Sequence, residues 1–280
     1  VVKIVVDSTA DMPAELCRAF DIQVVPLQVR FGNETFRDGV DISRDAFYQR
    51  LVTSSVLPTT STPPPGAFVE VYERLARETD AILAIHLSGK LSSTVGVARK
   101  AAEMVPQVRI EVVDSHALAM VMVYMAVAAG IAARNGAGLD ELVPLVNGIR
   151  ERAFFYVGLD TLHYLEKGGR IGRARAFLGT LLNVKPLIEV RDGEVHPLEQ
   201  VRTGKRMMAR LVELVQAQAP IEELALLYTS QREKAETLLE QIMAQQIFPR
   251  ERMHLVQMGG VIGTHAGPGA VGVVGIKREE

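Results

Sequence analysis

Tryptophan is absent from this 280-residue chain, and cysteine occurs once, at Cys17. A single thiol makes no internal disulfide, zinc knuckle or dithiol redox pair, which fits a reducing compartment. Any excess of charge is also missing: 31 Lys and Arg stand against 33 Asp and Glu, a formal net charge of −2. So balanced a chain has no electrostatic footprint for a phosphate backbone, and nucleic acid is not an expected partner. The opening Val1-Val2-Lys3-Ile4-Val5-Val6 lacks the basic, apolar and small-residue pattern of a secretory leader, so the expectation is a cytoplasmic protein. The uncharged run 117–133 is short for a bilayer and rich in Ala and Met; it reads as a buried helix, not a membrane span.

Catalytic signatures are lacking too. There is no Gly-x-Ser-x-Gly elbow, no phosphate-loop motif, no His-Glu-x-x-His and no cluster of His and Cys, so neither a metal nor a resident cofactor is expected. Gly267-Pro268-Gly269-Ala270-Val271-Gly272 formally matches a dinucleotide fingerprint, but Pro268 lies inside it and eight residues follow. That leaves no room for the strand-helix-strand unit and its acidic ribose partner.

What is present is ordinary globular material, 48% hydrophobic and 23% charged. Short β-branched runs at 3–7, 24–30, 81–86 and 110–114 alternate with helix-patterned stretches at 11–20, 66–77, 93–104 and 116–134. This alternation predicts a parallel sheet with flanking helices and ligand-facing loops at the carboxyl ends of its strands. Residues 57–66, Leu-Pro-Thr-Thr-Ser-Thr-Pro-Pro-Pro-Gly, interrupt it as a rigid hydroxyl-rich loop. A helical segment at 137–150 precedes a change of pattern near Arg152, so two domains are expected, 1–152 and 153–280, both α/β. In the second, Asp192-Gly193 predicts a tight β-hairpin turn between strands at 186–190 and 195–201. Helices at 205–218 and 233–246 and strands at 224–229, 254–258 and 270–276 complete it.

Several loops carry polar chemistry. Asp7-Ser8-Thr9-Ala10-Asp11 leaves a strand, where Ser8, Thr9 or Asp11 is suited either to capping the next helix or to touching a ligand. Asp114-Ser115-His116 repeats the arrangement. Leu87-Ser88-Gly89-Lys90-Leu91-Ser92-Ser93-Thr94 brings hydroxyls and free backbone N–H groups to a helix start, a place that favours phosphate or carboxylate. Gly263-Thr264-His265-Ala266-Gly267-Pro268-Gly269 reads as a glycine-rich turn whose His265 is a structural imidazole or a donor to an acidic ligand. Lys167, Arg170, Arg173 and Arg175 crowd a glycine-containing turn that is a solvated basic loop or a docking point for phosphate or a partner. Met120, Met122 and Met125 are suited to lining a tunnel for a flexible chain, or simply to packing a core helix.

Taken in order, Asp7-Ser8-Thr9-Ala10-Asp11, Thr59-Thr60-Ser61, Lys90-Leu91-Ser92-Ser93-Thr94, Tyr164-Leu165-Glu166-Lys167-Gly168-Gly169-Arg170-Ile171-Gly172, Lys185-Pro186 and Ile262-Gly263-Thr264-His265-Ala266-Gly267-Pro268-Gly269 resemble the DegV family over essentially the whole chain. The chain departs from the family's usual Thr-Ser-Gln-Pro-Ser loop at Thr60-Ser61-Thr62-Pro63-Pro64, and from its usual Ser-Gly-Thr at Ser92-Ser93-Thr94. The resemblance implies a bacterial lipid-binding carrier with a long-chain fatty acid, such as palmitate, stearate or oleate, in the cleft between two α/β domains. It implies no catalysis of its own: a separate fatty acid kinase subunit would convert the presented carboxylate to an acyl phosphate. Thr60 and Ser92 would hydrogen-bond that carboxylate and His265 would complete the polar end, with Ser61, Ser93, Gly263 and Met120 around the lipid. Arg170, with Lys167 and Arg202, would face the phosphate and the kinase, and membrane contact would be transient. A tail of roughly sixteen carbons, at about 0.8 kcal/mol per buried methylene, would dominate affinity and leave orientation to the head. Two other readings stay open from the residues alone: a serine hydrolase or acyltransferase using Ser92 or Ser93 with His265, and a sensor for a small anion.

Overall fold

The computed structural model describes residues 1–179 and 183–279. In chain order its elements begin with β1 (Lys3–Asp7), α1 (Ala14–Phe20), β2 (Ile22–Val25), β3 (Gln28–Phe31), β4 (Glu34–Arg37), α2 (Arg44–Thr53) and β5 (Thr59–Ser61). Then come α3 (Pro65–Leu75), β6 (Ala81–His86), α4 (Thr94–Glu103), β7 (Arg109–Asp114), α5 (Met120–Arg134) and α6 (Leu139–Arg152). The remainder is β8 (Ala153–Gly158), α7 (His163–Lys167), β9 (Lys185–Arg191), β10 (Glu194–Val201), α8 (Gly204–Gln216), β11 (Ile221–Tyr228), α9 (Arg232–Ala244), β12 (Met253–Gln257), α10 (Gly260–Ala266) and β13 (Val271–Lys277).

The chain divides into two compact units. One comprises Val1–Gln28 and Thr60–Glu151, the other Val29–Thr59 and Arg152–Glu280. In the first, β2, β1, β6 and β7 lie side by side in that order, all parallel, with Ile4 opposite both Ile22 and Leu83. Val5, Ile82 and Ala84 pack under Phe68 and Tyr72 of α3 and Ala98 and Ala101 of α4. On α5, Met120, Met122 and Met125 are buried, and Gly130 comes close enough to Phe20 of α1 that a methyl there would lie 3.3 Å from its Cβ. No described helix is long and apolar enough to cross a membrane. The second unit has a mixed sheet, β10-β9-β8-β13-β11-β12, in which only β11 and β12 pair in parallel. Its hairpin turns at Asp192 and Gly193, whose φ values of 51° and 77° are the left-handed pair that a tight primed turn demands.

Several details differ from the sequence expectation, each for a local reason. The strand expected at 24–30 is two strands, β2 and β3, because the chain breaks at Pro26 and Leu27 and the Leu27 N–H donates to Ser8 Oγ at 3.1 Å. The helix expected from residue 11 starts at Ala14, since Asp11 takes a left-handed φ of 54° and Pro13 sets the first turn. That expected from 116 starts at Met120, because His116 and Ala119 have φ near 50°. The glycine-rich turn expected from Gly263 is helical through Ala266, and the turn itself comes at Gly267 and Gly269, with φ of 73° and 77°. The loop 57–66 includes β5, and α2 had no counterpart in the expectation. The first domain, expected to be continuous over 1–152, lacks Val29–Thr59, which groups instead with the C-terminal part. Hydrogen bonds give the reason: Tyr48 Oη donates to the Met258 carbonyl at 2.8 Å, and the Gly260 N–H donates to Asp38 at 2.9 Å.

Candidate functional site

In the first unit, polar side chains gather at the carboxyl ends of the parallel strands. Pleat alternation puts Asp7 on the face of Val5, and His86 on the face of Ile82 and Ala84, so both point toward the α3 and α4 layer. The sheet order reverses direction between β1 and β6, which makes this the topological switch point where open α/β sheets bind ligands. Asp7 is fully buried there and accepts from Thr9 N at 3.0 Å, Thr9 Oγ1 at 2.5 Å, Leu87 N at 2.9 Å and His86 Nδ1 at 3.1 Å. His86 Nδ1 faces the Asp7 carboxylate, and its Nε2 is buried without a hydrogen-bond partner. Asp7 thus caps the short 3-10 turn Ser8–Ala10, while α1 starts from Pro13 without a side-chain cap, so the expected capping of that helix by Ser8, Thr9 or Asp11 does not occur. The Asp7–Asp11 motif is legible in the sequence but this pair is not, because His86 closes an apolar run and resembles any strand end.

Asp114 plays a similar part on β7, accepting from Gly89 N at 3.1 Å and from His116 N at 2.9 Å. The N–H groups expected to be free in the 87–94 loop are therefore largely taken. Beyond Gly89, Lys90 N donates to Ser88 Oγ at 3.2 Å, Leu91 N and Ser92 N to the Ser88 carbonyl, and Thr94 N to Ser92 Oγ at 3.3 Å. Ser92 Oγ also lies 2.9 Å from Thr94 Oγ1. It is partly buried, as is Thr60 on β5, whereas Ser93 and Ser61 are exposed and Ser61 Oγ donates to Gln28 at 3.1 Å. Met120 begins α5, almost fully buried.

The second unit holds the remaining candidates. Gly263 and His265 lie on α10, and a methyl placed at Gly168 would stand 2.2 Å from His265 Nδ1, so the imidazole rests directly on the glycine turn after α7. Arg170 turns back through a 2.8 Å bond from Nη1 to the Gly168 carbonyl. Burial, and secondarily the Arg170 guanidinium, lower the His265 imidazole to about 4, so it is neutral near pH 7. Lys167 and Arg202 are exposed, and Arg173 pairs with Glu194 at 3.2 Å. Beyond Gly267, Lys234 Nζ donates to the Gly269 carbonyl at 2.8 Å and meets Asp160 at 3.1 Å, while Lys185 reaches Asp160 at 2.8 Å. Burial works to raise the Asp160 carboxyl, but the two lysines outweigh it and hold it below the usual range. Among the described residues no group of three His, Cys, Asp or Glu side chains is arranged to hold a metal.

These features define a two-unit α/β protein with hydroxyls on strand-to-helix turns of a parallel sheet in one unit, and a neutral imidazole beside an arginine on a glycine-lined helix in the other. The chain belongs to the DegV family, whose model, described as an uncharacterised protein family, matches residues 1–278. It is similar to a DegV domain-containing protein of Streptomyces coelicolor, 38% identical over 98% of this chain and 97% of that one. Its fold is similar to that of a fatty-acid-binding DegV family protein from Thermus thermophilus, 32% identical with a TM-score of 0.92 over 99% of both chains. It is also similar to DegV of Bacillus subtilis, a fatty acid binding protein, at 31% identity and a TM-score of 0.88 over 99% of both chains.

Proposed function

We propose that this protein binds a long-chain fatty acid and presents its carboxylate to a separate kinase subunit, which forms the acyl phosphate. The observation that supports fatty acid binding is the likeness, over nearly the full length of each chain, to two fatty-acid-binding DegV structures at 32% and 31% identity. The local chemistry agrees with it. The Thr60 and Ser92 hydroxyls donate to the carboxylate, and His265, held neutral, adds a donor without burying an opposing charge. Arg170, Lys167 and Arg202 supply positive charge for the phosphoryl group and the kinase. The acyl tail provides most of the affinity, at about 0.8 kcal/mol for each methylene removed from water. For Ser92, a ligand-holding role is favoured over that of a nucleophile, because its hydroxyl pairs with Thr94 and not with an imidazole.

Mass spectrometry of a solvent extract of the denatured, purified protein tests the reading, and fatty acids of roughly sixteen to eighteen carbons are expected. A lipid-free preparation that also refuses added palmitate overturns it. Labelling of Ser92 by an activated serine probe would favour the hydrolase reading instead.

A further inference from the structure

Helix α10, which carries His265, turns two glycines, Gly260 and Gly263, toward α2. A methyl at Gly260 would lie 3.0 Å from Phe47 Cδ2, and one at Gly263 would lie 2.5 Å from Tyr48 Oη and 2.8 Å from Phe47 Cε1. Positions 260 and 263 are one helical turn apart, so this face of α10 rests directly on α2. At the start of the helix Asp38, 6% exposed, accepts the Gly260 N–H at 2.9 Å, and just before it Tyr48 Oη holds the Met258 carbonyl at 2.8 Å. The other end is held equally closely: a methyl at Gly267 would meet Tyr164 Cδ2 at 2.2 Å, and Lys234 ties down the Gly269 carbonyl. From the Val29–Thr59 segment, the side chains of Asp38, Phe47 and Tyr48 meet backbone and glycine on the side of the helix that carries the imidazole.

We propose that Asp38, Phe47 and Tyr48 are positioning residues for His265, and that the Val29–Thr59 excursion is the clamp that sets the imidazole against Gly168 and Arg170. Because the contacts are backbone to ring and backbone to carboxylate, without a rotatable side chain on the α10 side, a small change in α2 moves the whole helix. The imidazole then leaves its close seat on Gly168 and takes up water. That the seat serves a fatty acid carboxylate rests on the proposed function; that the clamp sets the seat does not.

The test uses the full-length chain with labelled histidine, as Tyr48→Phe, Asp38→Asn and Gly263→Ala variants, with His265→Gln identifying the resonance. The His265 titration is followed by NMR in lipid-free protein, and palmitate affinity is measured separately. A midpoint raised by about one unit or more in Tyr48→Phe and in Gly263→Ala is expected, because hydration removes the desolvation that lowers it. Unchanged midpoints in both, even with lowered melting temperatures, overturn the clamp and leave these residues only a folding role. Since the titration needs no lipid, it judges the clamp even if wild-type protein refuses palmitate, an outcome that would overturn only the proposed function. Asp38→Asn keeps the side-chain shape; a shift in Tyr48→Phe and Gly263→Ala but none in Asp38→Asn removes Asp38 from the clamp.

Discussion

His265 has an ordinary imidazole pKa of about 6.5 when the chain is unfolded, but burial lowers it to about 4 in the folded protein. Between those values the unfolded state binds a proton that the folded state does not, so stability falls as pH drops from about 6.5 toward 4. The loss from this one group is up to about 3 kcal/mol, less where water reaches the ring. Urea unfolding at pH 7 and pH 4.5 checks it: His265→Gln is expected to lose less stability over that interval than the wild-type chain. Equal losses would show that the imidazole is not held in its neutral form. At this scale the sequence already contained the candidate, since His265 stands in the Gly263–Gly269 motif, but its neutrality was not legible there. That depends on Gly168 and Arg170, almost a hundred residues earlier in the chain.

A buried carboxylate joins two elements at the head of the parallel sheet. Asp7 ends β1 and receives Leu87 N and His86 Nδ1 from the end of β6, together with both donors of Thr9. Removing it leaves several buried donors without an acceptor, each a cost of about 1–3 kcal/mol. Asp7→Ala is therefore expected to lower unfolding free energy by about 3 kcal/mol or more, whereas Ala at the exposed Asp140 changes it by about 0.5 kcal/mol or less. Denaturant melts of the two variants make the comparison, and a near-wild-type Asp7→Ala would mean that the strand ends are held by other contacts. Most elements were legible as periodicity, and the Asp192-Gly193 turn as plain turn chemistry. What was not legible was where they end. The breaks at Asp11, His116 and Ala119 depend on left-handed backbone angles that residue types of this kind rarely announce. Helix α2 is not legible because its buried residues, Phe47, Tyr48 and Leu51, are few and its N-cap Ser43 is one polar residue among many.

The chain passes from one unit to the other at Gln28 and Val29, returns at Thr59 and Thr60, and crosses again at Glu151 and Arg152. A fragment ending at residue 152 thus carries Val29–Thr59 without the Met258–Gly263 segment that Tyr48, Phe47 and Asp38 hold. Such a fragment is expected to expose those rings and to unfold with a broader, less cooperative denaturant transition than the same fragment with 29–59 replaced by a short flexible linker. Equal transitions would mean that the excursion is dispensable to the first unit and indifferent to its missing partners. The sequence by itself determined the α/β class, the order of most strands and helices, and the motif series that places the chain in its family. These are properties of neighbouring residues, written in periods of two and about 3.6 and in the turn residues between them. Only the tertiary structure decided that Val29–Thr59 packs with the C-terminal part, that Asp7 and His86 meet, and that His265 stays neutral on a helix that turns Gly260 and Gly263 toward α2. Those outcomes come from burial and contacts between segments up to 222 residues apart, and no local pattern encodes them.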